Sequence, residues 1–288
     1  MYALVKGRCL YSTFYYKTSF SAIEYFIKNI YNQIKNEEVY IMDKNIAVII
    51  QYDVTRYKGW QKQGNTSETI QGKLEYILSK LAEKEIEVHG SGRTDAGVHA
   101  AGQQANFHID TEMTPDEIMD YLNSNLPSDI GVIKAWEAAP RFHSRLNAVK
   151  KTYSYQINIG KIPSVLNGRY AWRHRAPLDL KAMRNAASLL IGTHDFKSFT
   201  DLKKSKKSTV RTIESIEINE TSSGITIDIT GDSFLYHMVR IIVGTLVDIG
   251  EGKTKPEEMT AILGALSRTA SGQLAPAKGL MLMKVNYN

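Results

Sequence analysis

The chain has 288 residues, 43% of them hydrophobic, with 36 Lys and Arg against 30 Asp and Glu, giving a formal net charge of +6. This length and composition exclude intrinsic disorder and predict one large domain or two smaller ones. The single cysteine, Cys9, excludes an internal disulfide and any metal site built from several thiolates, and no apolar run approaches the ~20 residues of a membrane-spanning helix. We therefore expect a soluble, intracellular protein, and the modest positive charge is compatible with a nucleic-acid partner.

The first 41 residues differ in composition from the rest of the chain. They hold seven of the sixteen tyrosines, the only cysteine and just three acidic residues. A run with strand character, residues 45–52, begins shortly after Met42. We therefore expect residues 1–41 to lie outside the fold, as an upstream extension from a mispredicted start, with translation beginning at Met42.

From residue 43 onward, the apolar periodicity alternates between two residues and 3.6 residues, as strands and helices do. In the first half it predicts, in chain order, a strand over 46–52, a helix over 67–81 with Ser67 as its N-cap, strands over 85–89 and 103–109, a helix over 114–126, and a strand over 130–137. Thr114, Pro115 and Glu117 supply the N-cap, the first-turn proline and the capping-box glutamate of the second helix. This β-α-β-β-α-β order is ferredoxin-like.

The second half repeats the order loosely. It predicts a strand over 152–159, a helix over 179–190, strands over 211–218 and 225–230, a helix over 235–249, a further helix from about 254, and a last strand over 279–285. The sequence thus indicates an α+β protein of two tandem ferredoxin-like domains, 43–147 and 148–288, joined around a central cleft. Such a cleft is the first place to look for chemistry.

The most informative segment is the glycine-rich loop over 90–100, which reads GSGRTDAGVHA. It lacks the Gly-Lys-Ser/Thr of a phosphate-binding loop and the third glycine of the dinucleotide fingerprint. Its glycines allow tight turns and a close approach to a ligand, and Arg93 beside Asp95 predicts a lowered carboxyl pKa. Asp95 would then be a persistent anion that serves as nucleophile or base. The alternative is a structural Asp turn braced by Arg93.

Two residues of the second half have both a structural and a functional interpretation. Tyr153 lies in an alternating strand, where burial statistics favour a core-facing ring. Arg240 lies within an apolar helix and needs a carboxylate or a wet cleft; Asp232, Asp248 and Asp95 are its possible partners. His237, one turn earlier, could line the same face, but a lone histidine on an apolar helix is more often a satisfied core residue.

Basic side chains cluster in loops, and the densest group is Lys203, Lys204, Lys206 and Lys207. Each basic cluster taken alone is typical of a solvated loop, and next to an RNA it becomes a candidate for phosphate contacts. His89, His99 and His108 have neither paired spacing nor a cysteine partner, so we assign no metal site.

Several motifs occur together and in order along the chain. They are YD at 52–53, YKGWQKQ at 57–63, GRTDAGVHA at 92–100, NLP at 125–127, FHSR at 142–145, KKTYSY at 150–155, GTHDFKSF at 192–199, FLYHMVR at 234–240 and AKGL at 277–280. This series resembles the tRNA pseudouridine synthase A family from Met42 to the C-terminus. Val54 and the pair Lys151-Thr152 depart from the family pattern, and residues 1–41 match nothing in it.

The resemblance implies the pseudouridine synthase fold and the isomerisation of uridine to pseudouridine at positions 38, 39 and 40 of the tRNA anticodon arm. It implies Asp95 as the nucleophile, Tyr153 as a pocket residue that stacks on uracil and takes part in proton transfer, and Arg240 as the partner of Asp95. Arg93 and the four lysines would contact the RNA. The resemblance implies neither cofactor nor metal, and it implies a cytoplasmic homodimer.

Two other classes of protein remain as alternatives. A non-catalytic RNA-binding protein could use a ferredoxin-like sheet as a platform, but the aromatic RNP1 signature is absent from the sequence. A phosphoryl-transfer enzyme could use the glycine-rich loop, but the Lys-Ser/Thr pair is missing.

Overall fold

A computed structural model describes residues 43–160, 162, 165–202, 208–222 and 224–288. The predicted extension over 1–41 and the four lysines at 203, 204, 206 and 207 lie outside the described residues, so the expectations for them stay predictions. Among the helices of the described ranges, none is long and apolar enough to cross a membrane.

The first half of the chain contains four strands and two helices in β-α-β-β-α-β order. They are β1 (Asp43–Tyr52), α1 (Ile70–Ala82), β2 (His89–Gly90), β3 (His99–Asp110), α2 (Pro115–Asn125) and β4 (Ile130–Glu137). All strand pairs within this half are antiparallel, and the order across the sheet is β4-β1-β3-β2. This is the ferredoxin-like arrangement that the sequence predicts. Helix α2 begins with the expected capping box between Thr114 and Glu117.

The second half repeats this arrangement with additions. Its elements are β5 (Ala148–Ile159), β6 (Trp172–His174), α3 (Leu180–Ser188), β7 (Gly192–Asp195), β8 (Val210–Thr221), β9 (Gly224–Gly231), α4 (Met238–Gly250), α5 (Glu258–Gly264) and β10 (Leu280–Tyr287). The order β10-β5-β9-β8 is the same antiparallel pattern, with β7 added at the outer edge and the short β6 beside β5. The fold class is therefore α+β with two tandem ferredoxin-like halves.

One continuous sheet joins the two halves through the last strand of the chain. Strand β10 pairs in parallel with β3, where Met281 and Leu282 face His99 and Ala100. Its other edge pairs antiparallel with β5 along nearly its whole length. The first half therefore gains its neighbour in the sheet only when the second half is complete.

The predicted strand over 85–89 is wrong except at its end, since β2 contains only His89 and Gly90. The preceding backbone N–H groups bind side chains of α1 instead of a neighbouring strand. The Val88 N–H donates to Glu75 Oε1 at 3.1 Å, and the Ile86 N–H donates to Ser79 Oγ at 2.9 Å. These polar side chains of α1 take the place of the carbonyl acceptors of a neighbouring strand. A pattern of apolar residues does not reveal such a replacement.

Two helices begin three residues later than the periodicity predicts. Helix α1 begins at Ile70, because Thr69 and not Ser67 is the N-cap, with its hydroxyl accepting from the Gly72 N–H. Helix α4 begins at Met238 instead of residue 235, because the residue before it, His237, has a left-handed backbone (φ 63°). Before α1 two hydroxyl residues could each serve as the N-cap, and before α4 Leu235 and Tyr236 continue the apolar pattern, so the sequence places both starts too early.

Leu282 and Met283 are adjacent in β10, and they test how strongly the joining strand is anchored. Leu282 is fully buried and Met283 is 41% exposed. Leu282→Ala should lower the free energy of unfolding by about 2–5 kcal/mol, since it leaves a cavity in the core. Met283→Ala should change it by less than about 0.5 kcal/mol. Urea denaturation of both variants measures this, and similar losses would contradict the assigned faces of β10.

Candidate active site

The glycine-rich loop between β2 and β3 is bound to the first strand and to the segment that follows it. The Trp60 N–H donates to the Thr94 carbonyl at 3.1 Å, and the hydroxyls of Tyr52 and Thr94 are 2.8 Å apart. Gly59 has a φ of +95°, and a Cβ at this position would lie 2.7 Å from the Thr94 carbonyl oxygen. Only glycine allows this approach of the two backbones. The residue next to Asp95 is thus held through both its backbone and its side chain.

Lys151 of β5 ties the same loop to the second half of the chain. Its Nζ donates to the Ser91 carbonyl at 2.9 Å. On the other side of the loop, Ser91 Oγ donates to Gln103 Oε1 at 2.5 Å, and Gln103 Nε2 donates to the Gly92 carbonyl at 2.8 Å. Burial, assisted by the charge of Arg145, lowers the pKa of the Lys151 amine to about 8. Lys151 therefore helps to hold the loop in place, a role that the sequence did not indicate.

Two side chains at the start of α4 face the carboxylate of Asp95. Arg240 Nη1 lies 3.9 Å and His237 Nε2 lies 3.5 Å from the same atom, Asp95 Oδ2. Among the three partners considered for Arg240, the structure thus places Asp95 beside it. Arg240 Nε also donates to the Ala275 carbonyl at 2.8 Å. The side chains of Asp95 and Arg240 are 29% and 12% exposed, and charges interact more strongly in such a partly dry site than in water.

The expected pair between Arg93 and Asp95 is wrong. Arg93 is exposed, and it forms no ion pair with any residue in the described part of the chain. The lowered pKa expected for Asp95 is wrong as well. Burial raises the pKa of this carboxyl above its usual value, and the charges of His237 and Arg240 offset that rise only in part. Arg93 remains hydrated, which avoids the desolvation cost of another cation inside the site.

Tyr153 of β5 lies beside Asp95 and is 8% exposed. Its ring meets the ring of Phe234 edge-on, with centroids 5.3 Å apart. Burial raises the pKa of the Tyr153 hydroxyl, and the nearby Tyr52 and Asp95 raise it further. Tyr155, the next residue on the same face of β5, is fully buried. The core-facing interpretation therefore describes this face of the strand, but Tyr153 also lines a cavity.

That cavity has a volume of about 950 Å³ and lies where the two halves meet. Its wall includes the loop with Asp95, Tyr153 of β5 and the segment 232–240. Ligand sites commonly fall in the range of about 300–1,000 Å³. The structure therefore brings Asp95, Tyr153 and Arg240 together around one cavity, and exposed Arg93 also borders it.

Asp201 is a site residue that the sequence did not indicate, and His237 was expected in the core although a place beside Arg240 was considered for it. The expectation of a satisfied core histidine at 237 is wrong, because its Nδ1 lies 2.6 Å from Asp201 Oδ2 while its Nε2 faces Asp95. The alternative considered for it, a place on the same face as Arg240, is the one that the structure supports. Nothing in the sequence marked Asp201, which comes 36 residues before His237.

The three histidines without metal-ligand spacing each have a separate environment. The His89 ring stacks on His143, His99 Nδ1 accepts from the Val54 N–H, and His108 Nδ1 lies 2.8 Å from Asp43 Oδ2. Within the described ranges, no group of three or more His, Cys, Asp or Glu side chains could hold a metal ion.

Comparison with known proteins gives the class of this site. A family model described as "tRNA pseudouridine synthase" matches residues 48–146 and 186–288. "tRNA pseudouridine synthase A 1" of Clostridium tetani is 46% identical over 244 residues, which cover 85% of this chain and 100% of that protein. "tRNA pseudouridine synthase A" of Bacillus sp. (strain KSM-64) is 44% identical over 243 residues, covering 84% and 99%.

The protein of the same name from Thermoanaerobacter sp. (strain X514) is 41% identical over 244 residues, covering 85% of this chain and 100% of that protein. The chain therefore belongs to the tRNA pseudouridine synthase family. This confirms the family that the ordered motifs predicted, and it identifies the chain as an isomerase with the pseudouridine synthase fold.

The raised pKa of Asp95 predicts a pH-dependent gain of stability in Asp95→Asn. The folded protein holds this proton more tightly than the unfolded chain does, so ionisation of Asp95 destabilises the fold. The cost is absent below the ordinary carboxyl value of ~3.9 and grows as the pH rises through the raised value. Asp95→Asn should therefore raise the melting temperature at neutral pH by a few degrees, and the gain should vanish near pH 3.

Differential scanning calorimetry from pH 3 to pH 8 measures this gain. Arg240 keeps the Ala275 carbonyl as an acceptor in the variant, so it is not left without a partner. Asp120→Asn, at an exposed position on α2, is the matched control and should melt with the wild type throughout. A lower melting temperature for Asp95→Asn at neutral pH would contradict the assigned cost.

Proposed function

We propose that the chain isomerises uridine to pseudouridine at positions 38, 39 and 40 of the tRNA anticodon arm, with Asp95 as the reacting carboxylate. The observation that carries this proposal is a partly buried carboxylate at a cavity of about 950 Å³, with Arg240 and His237 both placed against one of its oxygens. The relatives named tRNA pseudouridine synthase A support tRNA as the substrate.

The reaction breaks the bond between uracil N1 and ribose C1′ and joins C5 to C1′, so that one proton leaves C5 and one is gained at N1. This balance needs no oxidant, and we propose a reaction without cofactor or metal. Asp95 can attack the ribose, attack uracil C6, or assist elimination to a glycal, and each route uses the ionised carboxylate. The positive charge of Arg240, whose side chain is mostly buried, stabilises the ionised carboxylate of Asp95.

In this proposal Tyr153 acts on the uracil base. An aromatic ring can stack on the uracil after it has left the helix, and the hydroxyl can take part in proton transfer. The position in the cavity wall and the edge-on contact with Phe234 support this role, since that contact restrains the ring. The Tyr153 hydroxyl is protonated at neutral pH, as tyrosine ordinarily is, and the raised pKa keeps it so further into the alkaline range; it therefore begins as a donor.

Contacts to RNA are assigned to Arg93 and to the four lysines of the basic loop. Arg93 borders the cavity and is exposed, which suits a phosphate contact. For Lys203, Lys204, Lys206 and Lys207 the support is the sequence pattern alone. A paired uridine must be flipped out at a cost of a few kcal/mol, and phosphate contacts are the means of offsetting that cost.

The family resemblance also supports a homodimer in the cytoplasm, in which one anticodon arm touches both subunits. A dimer would enlarge the basic surface that contacts the RNA backbone.

Asp95→Asn should abolish turnover while sparing most of the affinity for tRNA, because phosphate contacts supply most of that affinity. Release of tritium from tRNA labelled at uridine C5 measures turnover, and filter binding measures affinity. Asp120→Asn is again the matched control and should behave as the wild type.

The same assay separates the classes of protein. A non-catalytic RNA-binding protein would bind tRNA without releasing tritium in either form, and a phosphoryl-transfer enzyme would release none. Tritium release at the wild-type rate from Asp95→Asn would contradict the role of Asp95, even with the isomerase activity established.

Tyr153→Phe should keep the ring and lose only the hydroxyl. We expect tRNA binding close to that of the wild type and a kcat lower by about 100-fold or more, within the range for loss of an acid–base group. Tyr121→Phe, on α2 and away from the cavity, is the matched control. Single-turnover kinetics measure both variants, and a wild-type rate for Tyr153→Phe would remove the proton-transfer role and leave only stacking.

A further inference from the structure

His237 has an unusual backbone at the point where α4 begins. Its φ of 63° and ψ of 1° lie in the left-handed region, which is uncommon for residues other than glycine, although histidine and asparagine enter it more often than most. Its ring is stacked on the ring of Tyr236, with centroids 3.7 Å apart. The Tyr236 carbonyl in turn accepts from the Thr200 hydroxyl at 2.9 Å. Backbone and ring are therefore both held in place.

Each ring nitrogen of His237 faces a carboxylate. Nδ1 lies 2.6 Å from Asp201 Oδ2, and Nε2 lies 3.5 Å from Asp95 Oδ2. The other oxygen of Asp201 accepts from Arg268 Nε at 2.9 Å. Burial alone would raise the pKa of Asp201, but its hydrogen bond to His237 and the charge of Arg268 lower it overall. Asp201 is thus an ionised acceptor, which places a proton on Nδ1.

The two neighbours of Asp95 make their closest approach to the same oxygen. Arg240 Nη1 and His237 Nε2 both approach Oδ2, and Oδ1 has no hydrogen bond within the described part of the chain. The two carboxylate oxygens are therefore not equivalent. One is directed at protein nitrogens, and the other remains for a ligand in the cavity.

We infer that His237 is a positioning residue: held by Asp201 through Nδ1, it fixes Oδ2 of Asp95 through Nε2 and leaves Oδ1 to meet the substrate. This inference rests on the proposed role of Asp95. The charged groups around the ring are Asp95 and Asp201, with Arg240 beside Oδ2 of Asp95 and Arg268 beside Oδ1 of Asp201.

The main test is His237→Asn, because asparagine tolerates the left-handed backbone but is too short to contact both carboxylates. We expect kcat to fall by about 10-fold to 100-fold, since a misplaced reacting group commonly costs this much, with KM for tRNA changed less than about twofold. His108→Gln is the matched control, since His108 also binds an aspartate, Asp43, through Nδ1 but lies in an exposed pair. It should leave kcat and KM unchanged.

The split between kcat and KM gives a readout that a merely structural role would not move. Asp201→Asn removes the carboxylate that holds Nδ1, so it should also lower kcat while KM changes less than about twofold. The double variant of His237→Asn and Asp201→Asn should lose little more kcat than His237→Asn alone, because Asp201 acts on Asp95 only through the ring. Melting temperatures of all variants verify that they fold.

A wild-type kcat in a folded His237→Asn would overturn the inference, as would losses of kcat in the two single variants that simply add in the double variant. A fall in tRNA affinity with kcat unchanged would also overturn it, since that result marks a contact with substrate. Failure of the proposed function is a separate result: Asp95→Asn would then still release tritium, whatever the His237 variants do.

Discussion

The Asp95 carboxylate lies at a cavity and is partly buried, and this burial raises its pKa. In the role proposed for it this carboxylate must be ionised, so positive charge has to lie close to it. The loop that carries Asp95 does not supply that charge, because its own arginine, Arg93, is exposed. Arg240 and His237 supply it from the other half of the chain. The site is therefore complete only where the two ferredoxin-like halves meet. Neither half contains Asp95, His237 and Arg240 together.

The segment before β10 both joins the halves and orients Arg240. The Ala275 carbonyl accepts from Arg240 Nε, and the Ala275 N–H donates to the Arg240 carbonyl, so this segment is bonded to Arg240 twice. Five residues later the chain becomes β10 and enters the sheet between β3 and β5. The close approach of β3 to β10 requires glycine at 102, where a Cβ would collide with the Met283 carbonyl oxygen. The geometry of Arg240 and the junction of the sheet are thus set by one stretch of chain.

The periodicity of the sequence predicted the order of the strands and long helices, because buried faces repeat every two or 3.6 residues. It failed where polar side chains decide the local structure: Glu75 and Ser79 take the N–H groups that a strand over 85–89 would need. The motifs placed Asp95, Tyr153 and Arg240 in one site. They could not reveal that Arg93 faces solvent or that Asp201 reaches His237, since direction in a loop and contact across 36 residues depend on the tertiary fold.

The left-handed backbone of His237 explains why helix α4 begins later than predicted, and it also places the His237 ring in the site. A continuous helix from residue 235 would satisfy the apolar pattern and avoid a sparsely populated φ, yet the chain adopts φ 63° at this residue. Such a conformation persists only when the surroundings determine it, and here the ring is bound by Asp201 and stacked on Tyr236. The departure from the local rule therefore falls at the residue that contacts Asp95. The apolar pattern does not determine the backbone conformation at this residue, because the conformation that places the His237 imidazole between two carboxylates is not helical.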